Sequence, residues 1–170
     1  MTITGRIHNF GAGPAVLPLE VVEECRKSLP NLNNSGFGLL EISHRSKTFQ
    51  NIVDSSMEKL RRILSIPEDY TVLYLQGGAS LQFYMSALNL LRENEKVDFL
   101  VTGVWSQKAL KEASRIGDAS ARWDDSENGF SSIPSNEDYS VRDDSLYLHY
   151  TSNNTLFGTQ FHHLPESNGK

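Results

Sequence analysis

Thr71-Val-Leu-Tyr-Leu-Gln-Gly-Gly-Ala-Ser-Leu-Gln-Phe83 is the stretch on which the fold turns. Its first six residues are a nearly continuous apolar run of strand length. Four small residues follow, Gly77 to Ser80, and Leu81 to Leu91 then has helical character. The same order recurs downstream. Val97-Asp-Phe-Leu-Val-Thr102 reads as a strand, Gly103 as a turn, and Trp105 to Ile116 as a helix. Ser120 to Trp123 reads as a short strand and Ser145-Leu-Tyr-Leu-His-Tyr150 as another. Strand, small-residue turn, helix, strand is the pattern of a mostly parallel sheet covered on both faces. The expected class is therefore α/β, a three-layer α/β/α arrangement.

Upstream the periodicity is helical. Pro18 to Leu29 carries Val21, Val22, Cys25 and Leu29 on one stripe, with Pro30 stopping it. From about Thr48 to Ser65, Phe49, Ile52, Val53, Met57, Leu60, Ile63 and Leu64 form one face of a second helix. The Gly/Asn/Ser-rich segment 31–45 between them is too long for a mere connector, and loops of that length are often functional. Residues 124–144 hold seven carboxylates and one basic residue, Arg142, which reads as a solvated excursion at the sheet edge rather than an acidic docking segment.

Composition narrows the class. Sixteen basic against 21 acidic residues give a formal charge of −5, with the basic residues scattered, which argues against phosphate-backbone binding to nucleic acid. No apolar stretch approaches a membrane span, and Met1-Thr-Ile-Thr-Gly-Arg6 is too polar for a signal peptide, so the expectation is a soluble cytoplasmic protein. The single cysteine, Cys25, excludes an intrachain disulfide and a cysteine zinc cage. His162-His163 diverge as neighbours in sequence and lack a carboxylate at ligand spacing, so no metal is expected.

Three strand ends carry the chemistry. Gly77-Gly-Ala-Ser80 at the start of a helix offers backbone N–H groups, room for a phosphate and the Ser80 hydroxyl. The same residues also suit a tight turn. Trp105 lies just past the Val97–Thr102 strand, where an aromatic ring can stack on a flat ligand or simply pack. Tyr150-Thr-Ser-Asn-Asn-Thr-Leu-Phe-Gly158 follows the last strand and is rich in short hydrogen-bonding side chains, which turns also favour. His44-Arg45, at the end of the long loop, offers cations for a carboxylate or phosphate.

Together Asn9-Phe-Gly-Ala-Gly-Pro-Ala15, Glu41-Ile-Ser-His-Arg-Ser-Lys47, Gln76 to Phe83, Thr102-Gly-Val-Trp-Ser106 and His149 to Gly158 closely resemble the phosphoserine aminotransferase family, in family order along essentially the whole chain. The resemblance implies a fold-type I enzyme, homodimeric and dependent on pyridoxal 5′-phosphate. Such enzymes move the amino group of L-glutamate to 3-phosphohydroxypyruvate, giving O-phospho-L-serine and 2-oxoglutarate in serine biosynthesis. By position, Ala79 and Ser80 match the pair at the cofactor phosphate. Trp105 matches the tryptophan stacked on the pyridine ring, and Thr155 the threonine bonded to the cofactor. Arg45 matches the arginine gripping the substrate carboxylate, and His44 the histidine that helps with the substrate phosphate. Some family members carry arginine where this chain has Ser80.

The resemblance also implies that residues 1–170 are the N-terminal part of the cofactor-binding large domain. The Schiff-base lysine, the acidic partner of the pyridinium nitrogen and the small C-terminal domain belong to segments beyond Thr155 that this chain does not contain, so no catalytic residue is assigned here. Ser106-Gln-Lys108 mimics the lysine motif but directly follows Trp105 on a helix whose Lys108, Lys111 and Glu112 mark a solvent face. Two readings follow. One is an aminotransferase segment active only with the missing C-terminal part, supplied as a second chain after cleavage or absent through truncation. The other is a truncated, non-catalytic product that binds a phosphorylated ligand or a protein partner.

Overall fold

A computed structural model describes residues 5–169, so the first four residues of the polar N-terminal stretch, and Lys170, lie outside it. The chain forms two compact units, one up to Tyr74 and one from Leu75 onward.

The first unit carries two helices. Helix α1, Leu19–Ser28, starts after Pro18 and ends before Pro30, within the span its apolar stripe predicts. The loop that follows is structured locally. Leu32–Asn34 form a 3₁₀ turn, Leu32 N–H donates to Phe37 O at 2.8 Å, and Gly38 N–H donates to the Glu41 carboxylate at 2.7 Å. Helix α2, Lys47–Leu64, is capped by Ser46, whose Oγ accepts from Phe49 N–H at 3.1 Å. At its other end Ser65 adopts a left-handed conformation, and the Arg61 guanidinium reaches on to the carbonyls of Pro67 and Tyr70. No residue of α2 is buried, and Ile63 and Leu64 are largely exposed.

Residues 71–76, expected as a strand, form no ladder with any described strand. Leu73, Tyr74 and Leu75 are exposed. Apolar, β-branched composition favours a pleated surface only where a neighbouring strand supplies hydrogen bonds, and none of the described strands lies alongside.

The second unit contains the sheet. Helix α3, Gly78–Leu90, leads to strand β1, Lys96–Val101, then helix α4, Val104–Ala113, strand β2, Asp118–Asp124, and strand β3, Ser145–Tyr150. The strand order is β2-β1-β3 and both pairings are parallel, which is the mostly parallel α/β sheet that the sequence predicts. Central β1 is buried without a break from Val97 to Gly103. Val97, Phe99 and Val101 pack with Ala87 of α3 and Leu91 just past its end, Ala109 and Ala113 of α4, and Phe130. Two alanines on α4 let that helix approach the sheet closely.

Between them, on the other face of β1, Asp98 is fully buried. Its carboxylate accepts from Arg142 Nε and from the Arg142 backbone N–H, each at 2.7 Å. The rest of that guanidinium donates to Asp118 Oδ2 and to the carbonyls of Val97 and Asp118. The one basic residue of the acidic segment is therefore its anchor. Asp125, Phe130, Pro134 and Val141 are also buried, so segment 125–144 is packed rather than merely solvated. The Asp125 carboxyl is held below its usual range by the Asn128 side-chain amide and by donors from Ser131 and Ser132, against an opposing desolvation effect.

His149 of β3 lies between Phe83 of α3 and Phe99 of β1, with ring centroids 6.3 and 4.8 Å away, and its buried Nε2 has no hydrogen-bond partner. Burial lowers its pKa to about 4 from 6.5.

Replacing Arg142 with methionine strands a buried carboxylate and should cost about 3–5 kcal/mol in urea unfolding, whereas adding Asp98→Asn should recover much of that loss. An Arg142→Met chain as stable as the wild type would show that the pair is energetically idle. Because His149 stays neutral in the native state while the unfolded chain binds a proton, stability should fall as pH drops from 6.5 toward 4, by about 3 kcal/mol. The His149→Phe chain should show a correspondingly flatter profile over that window, and equal slopes would contradict the assignment.

Candidate functional site

The carboxyl ends of β1 and β3 lie side by side, and each runs into a turn that the sequence builds for close approach. After β1 comes Thr102-Gly103, then α4. Ser106, buried in the first turn of α4, accepts through Oγ from the N–H groups of Thr102 and Gly103 at 2.9 and 3.1 Å. Gly103 is extended, so its lack of a side chain is a matter of space. A Cβ there would intrude on the amide of Asn154.

After β3 the loop 152–161 closes on itself. Asn154 N–H donates to Thr159 O at 2.8 Å, Gly158 N–H to Asn154 O at 2.7 Å, and Phe161 N–H to Ser152 O at 2.9 Å. The Asn154 side chain is buried. Its Nδ2 donates to Thr102 Oγ1 at 3.0 Å and to Thr159 Oγ1 at 2.9 Å. Its Oδ1 has no donor, an arrangement that costs about 1–3 kcal/mol and is kept only where geometry demands it.

On this frame the structure brings two of the predicted residues together. Trp105 Nε1–H donates to Thr155 Oγ1 at 3.1 Å, across 50 residues of sequence. The threonine accepts in that bond and keeps its own O–H to donate. Trp105 is half-buried, and Lys108 Nζ lies 4.6 Å from its ring centroid, a cation–π contact. Lys108 is exposed, as expected, but it touches the indole instead of standing apart.

Ala79 and Ser80 belong to the same unit. They are not in a turn before α3 but in its first turn, because the helix starts at Gly78. Gly77 has φ 89°, a conformation favouring glycine, and no side chain caps the helix. The N–H groups of the first turn are thus exposed among small residues, in the geometry that holds a phosphate.

His44 and Arg45 lie in the first unit, exposed in the turn just before α2. Ser43 fixes that turn, its Oγ accepting from Arg45 N–H at 3.2 Å and its carbonyl from Ser46 N–H at 2.9 Å. Asn154, Ser106 and Gly103 were not legible as site residues. Gly103 and Ser106 fall within the Thr102–Ser106 motif and Asn154 within the polar run after the last strand, but turn preference explains those residue types equally well. Among the described residues there is no cluster of metal-ligating side chains, and no helix is long and apolar enough to cross a membrane.

Comparison with known proteins gives the family. The chain is 45% identical over 162 residues to a phosphoserine aminotransferase of Desulfotalea psychrophila, covering 95% of this chain and 45% of that protein. It is 46% identical over 160 residues to one of Halalkalibacterium halodurans, covering 94% and 44%. The chain thus spans less than half the length of these relatives. Among solved structures, phosphoserine aminotransferase from Bacillus circulans subsp. alkalophilus superposes with a TM-score of 0.86 at 38% identity, over 94% of this chain and 44% of that one. The pyridoxal-phosphate-bound enzyme from Trichomonas vaginalis gives 0.85 at 34% identity, over 95% and 46%. The class-V aminotransferase family matches residues 7–167, nearly the whole sequence, and the chain belongs to that family.

Proposed function

We propose that this chain is the N-terminal part of the large domain of a phosphoserine aminotransferase, holding one side of a pyridoxal 5′-phosphate site. The observation that carries the reading is the hydrogen bond between Trp105 and Thr155, which joins at two strand ends the residues assigned to the cofactor ring. The donor set fits such a group. The first turn of α3, with Ala79 and Ser80, provides N–H groups and a hydroxyl for a phosphate dianion. Trp105 provides a flat apolar face, and the Thr155 O–H can donate to a ring substituent.

Pyridoxal phosphate, when bound, supplies the electron sink for moving an amino group between an amino acid and a 2-oxo acid. The chain's own residues bind and orient. Arg45 presents a planar guanidinium to the carboxylate shared by L-glutamate and 3-phosphohydroxypyruvate, and His44 stands beside it for the substrate phosphate. The lysine that carries the cofactor comes from the C-terminal part of the polypeptide. Three of the described lysines are engaged elsewhere: Lys96 is paired with Asp144, Lys27 with Glu24, and Lys108 lies over the Trp105 ring. The exposed apolar residues of α2 and of 71–75 support a chain that is completed by further polypeptide, in a homodimer.

The test is complementation. This chain combined with the C-terminal half of a phosphoserine aminotransferase relative should convert glutamate and 3-phosphohydroxypyruvate to phosphoserine. Failure of the pair to show activity, although both halves bind one another, would overturn the reading. In that reconstituted enzyme Arg45→Ala should weaken glutamate binding by about tenfold or more, since a charge-assisted pair is lost. Unchanged glutamate affinity would remove Arg45 from the substrate site. Trp105→Ala should loosen the cofactor and alter its visible absorption, and an unaltered spectrum with equal affinity would count against stacking.

A further inference from the structure

We infer that Asn154 is a positioning residue for this cofactor site, a clasp that sets the spacing between Trp105 and Thr155. The inference rests on the reading just proposed and goes beyond it, because Asn154 itself is buried and offers nothing to the ligand. It is 1% exposed, in a loop otherwise mostly open to solvent. Both hydrogens of its amide are committed, one to Thr102 at the end of β1 and one to Thr159 at the far side of its own loop. Its main chain is bonded in both directions, to Thr159 O and from Gly158 N–H. Asn154 thus ties the end of β1 to the end of β3. The residue directly after it is Thr155, and the residue three after Thr102 is Trp105.

The packing is specific on the β1 side as well. The Oδ1 atom fills the space where any side chain at Gly103 would begin. Gly103 N–H is in turn held by Ser106 Oγ in the first turn of α4, so the amide also sets where α4 starts. A clasp of this kind acts through two other residues. Removing it should let the Thr155 loop drift from the indole without disturbing the buried β1 core, which is anchored independently by Asp98 and Arg142. The unpaired Oδ1 fits the same view, since a purely structural position would more simply hold an apolar side chain.

The experiment uses the full 170-residue chain carrying Trp123→Phe, so that Trp105 is the only tryptophan. Two properties are read: acrylamide quenching of Trp105, and the affinity for pyridoxamine 5′-phosphate, which cannot condense with lysines. Asn154→Ala should make Trp105 more accessible to quencher and weaken pyridoxamine phosphate by about tenfold, the effect of losing two hydrogen bonds. Thr159→Val removes one of the two bonds, and should give a smaller change in the same direction in a chain that folds. Gly103→Ala should be as damaging as Asn154→Ala, and the double variant no worse than either, because one lesion removes what the other collides with.

Unchanged quenching in Asn154→Ala and Thr159→Val, or additive losses in the double variant, would overturn the clasp. If the wild-type chain binds no pyridoxamine phosphate yet the quenching changes follow this pattern, the clasp between Trp105 and Thr155 stands, and the cofactor reading rests on the complementation test alone. If pyridoxamine phosphate binds normally to every variant, the cofactor reading survives and the clasp is wrong.

Discussion

A carboxylate with no access to water sits in the middle of the most buried strand, and the second unit is arranged around satisfying it. Asp98 lies on β1 between Val97 and Phe99, which face the α3–α4 side. Ionised and unpaired, it would be prohibitive in that position. Arg142 neutralises it and, with the remaining guanidinium donors, also reaches main-chain carbonyls of β1 and the start of β2. The same side chain therefore fixes the long β2–β3 connection and brings β3 alongside β1. Everything at the opposite, carboxyl ends of those strands inherits that register. A bond between residues as far apart as Trp105 and Thr155 is possible because β1 and β3 are parallel neighbours.

That arrangement divides labour between the two ends of the sheet. Ion pairing at the amino ends of the strands gives stability and registry, while the carboxyl ends carry small, polar and aromatic residues with little hydrophobic content of their own. Gly103, Ser106 and Asn154 hold the backbone turns, and Trp105 and Thr155 project from them. Sites in open α/β sheets gather at such ends because loops there can vary without disturbing the core. Ala79 and Ser80 fit the pattern through the first turn of a helix that packs on the same core through Ala87, with Leu91 just past its end.

Much of this was legible in the residues. The helices at 19–28 and 47–64 follow their apolar stripes, and β3 occupies the residues its pattern marks. Composition misled where a partner decides the outcome. Thr71 to Gln76 has the residues of a strand but no neighbour among the described strands. β2 runs longer than its apolar residues suggest, because an edge strand tolerates Asp118 and Asp124 at its ends. α3 starts ahead of the helical run that begins at Leu81, since Gly78 and Ser80 are weak helix formers that still serve in a first turn. The least legible feature was the polar interior. Arg142 stands out as the one base in an acidic segment, yet nothing in the order of residues marks it as an anchor or separates Asn154 from Asn153, because their roles come from contacts made 44 and 52 positions away.

On the proposed function, the first turn of α3, Trp105 and Thr155 act as one binding surface at the ends of the sheet. Titrating the ¹⁵N-labelled chain with pyridoxamine 5′-phosphate, and following backbone amides and indole N–H signals, tests it most directly. The amides of Ala79, Ser80 and Thr155 and the Trp105 indole N–H should shift together, with one dissociation constant, while the amides around Asp98 and Arg142 stay in place. Shifts scattered over the surface, or a ligand that moves the α3 amides but leaves the Trp105 indole unmoved, would contradict it.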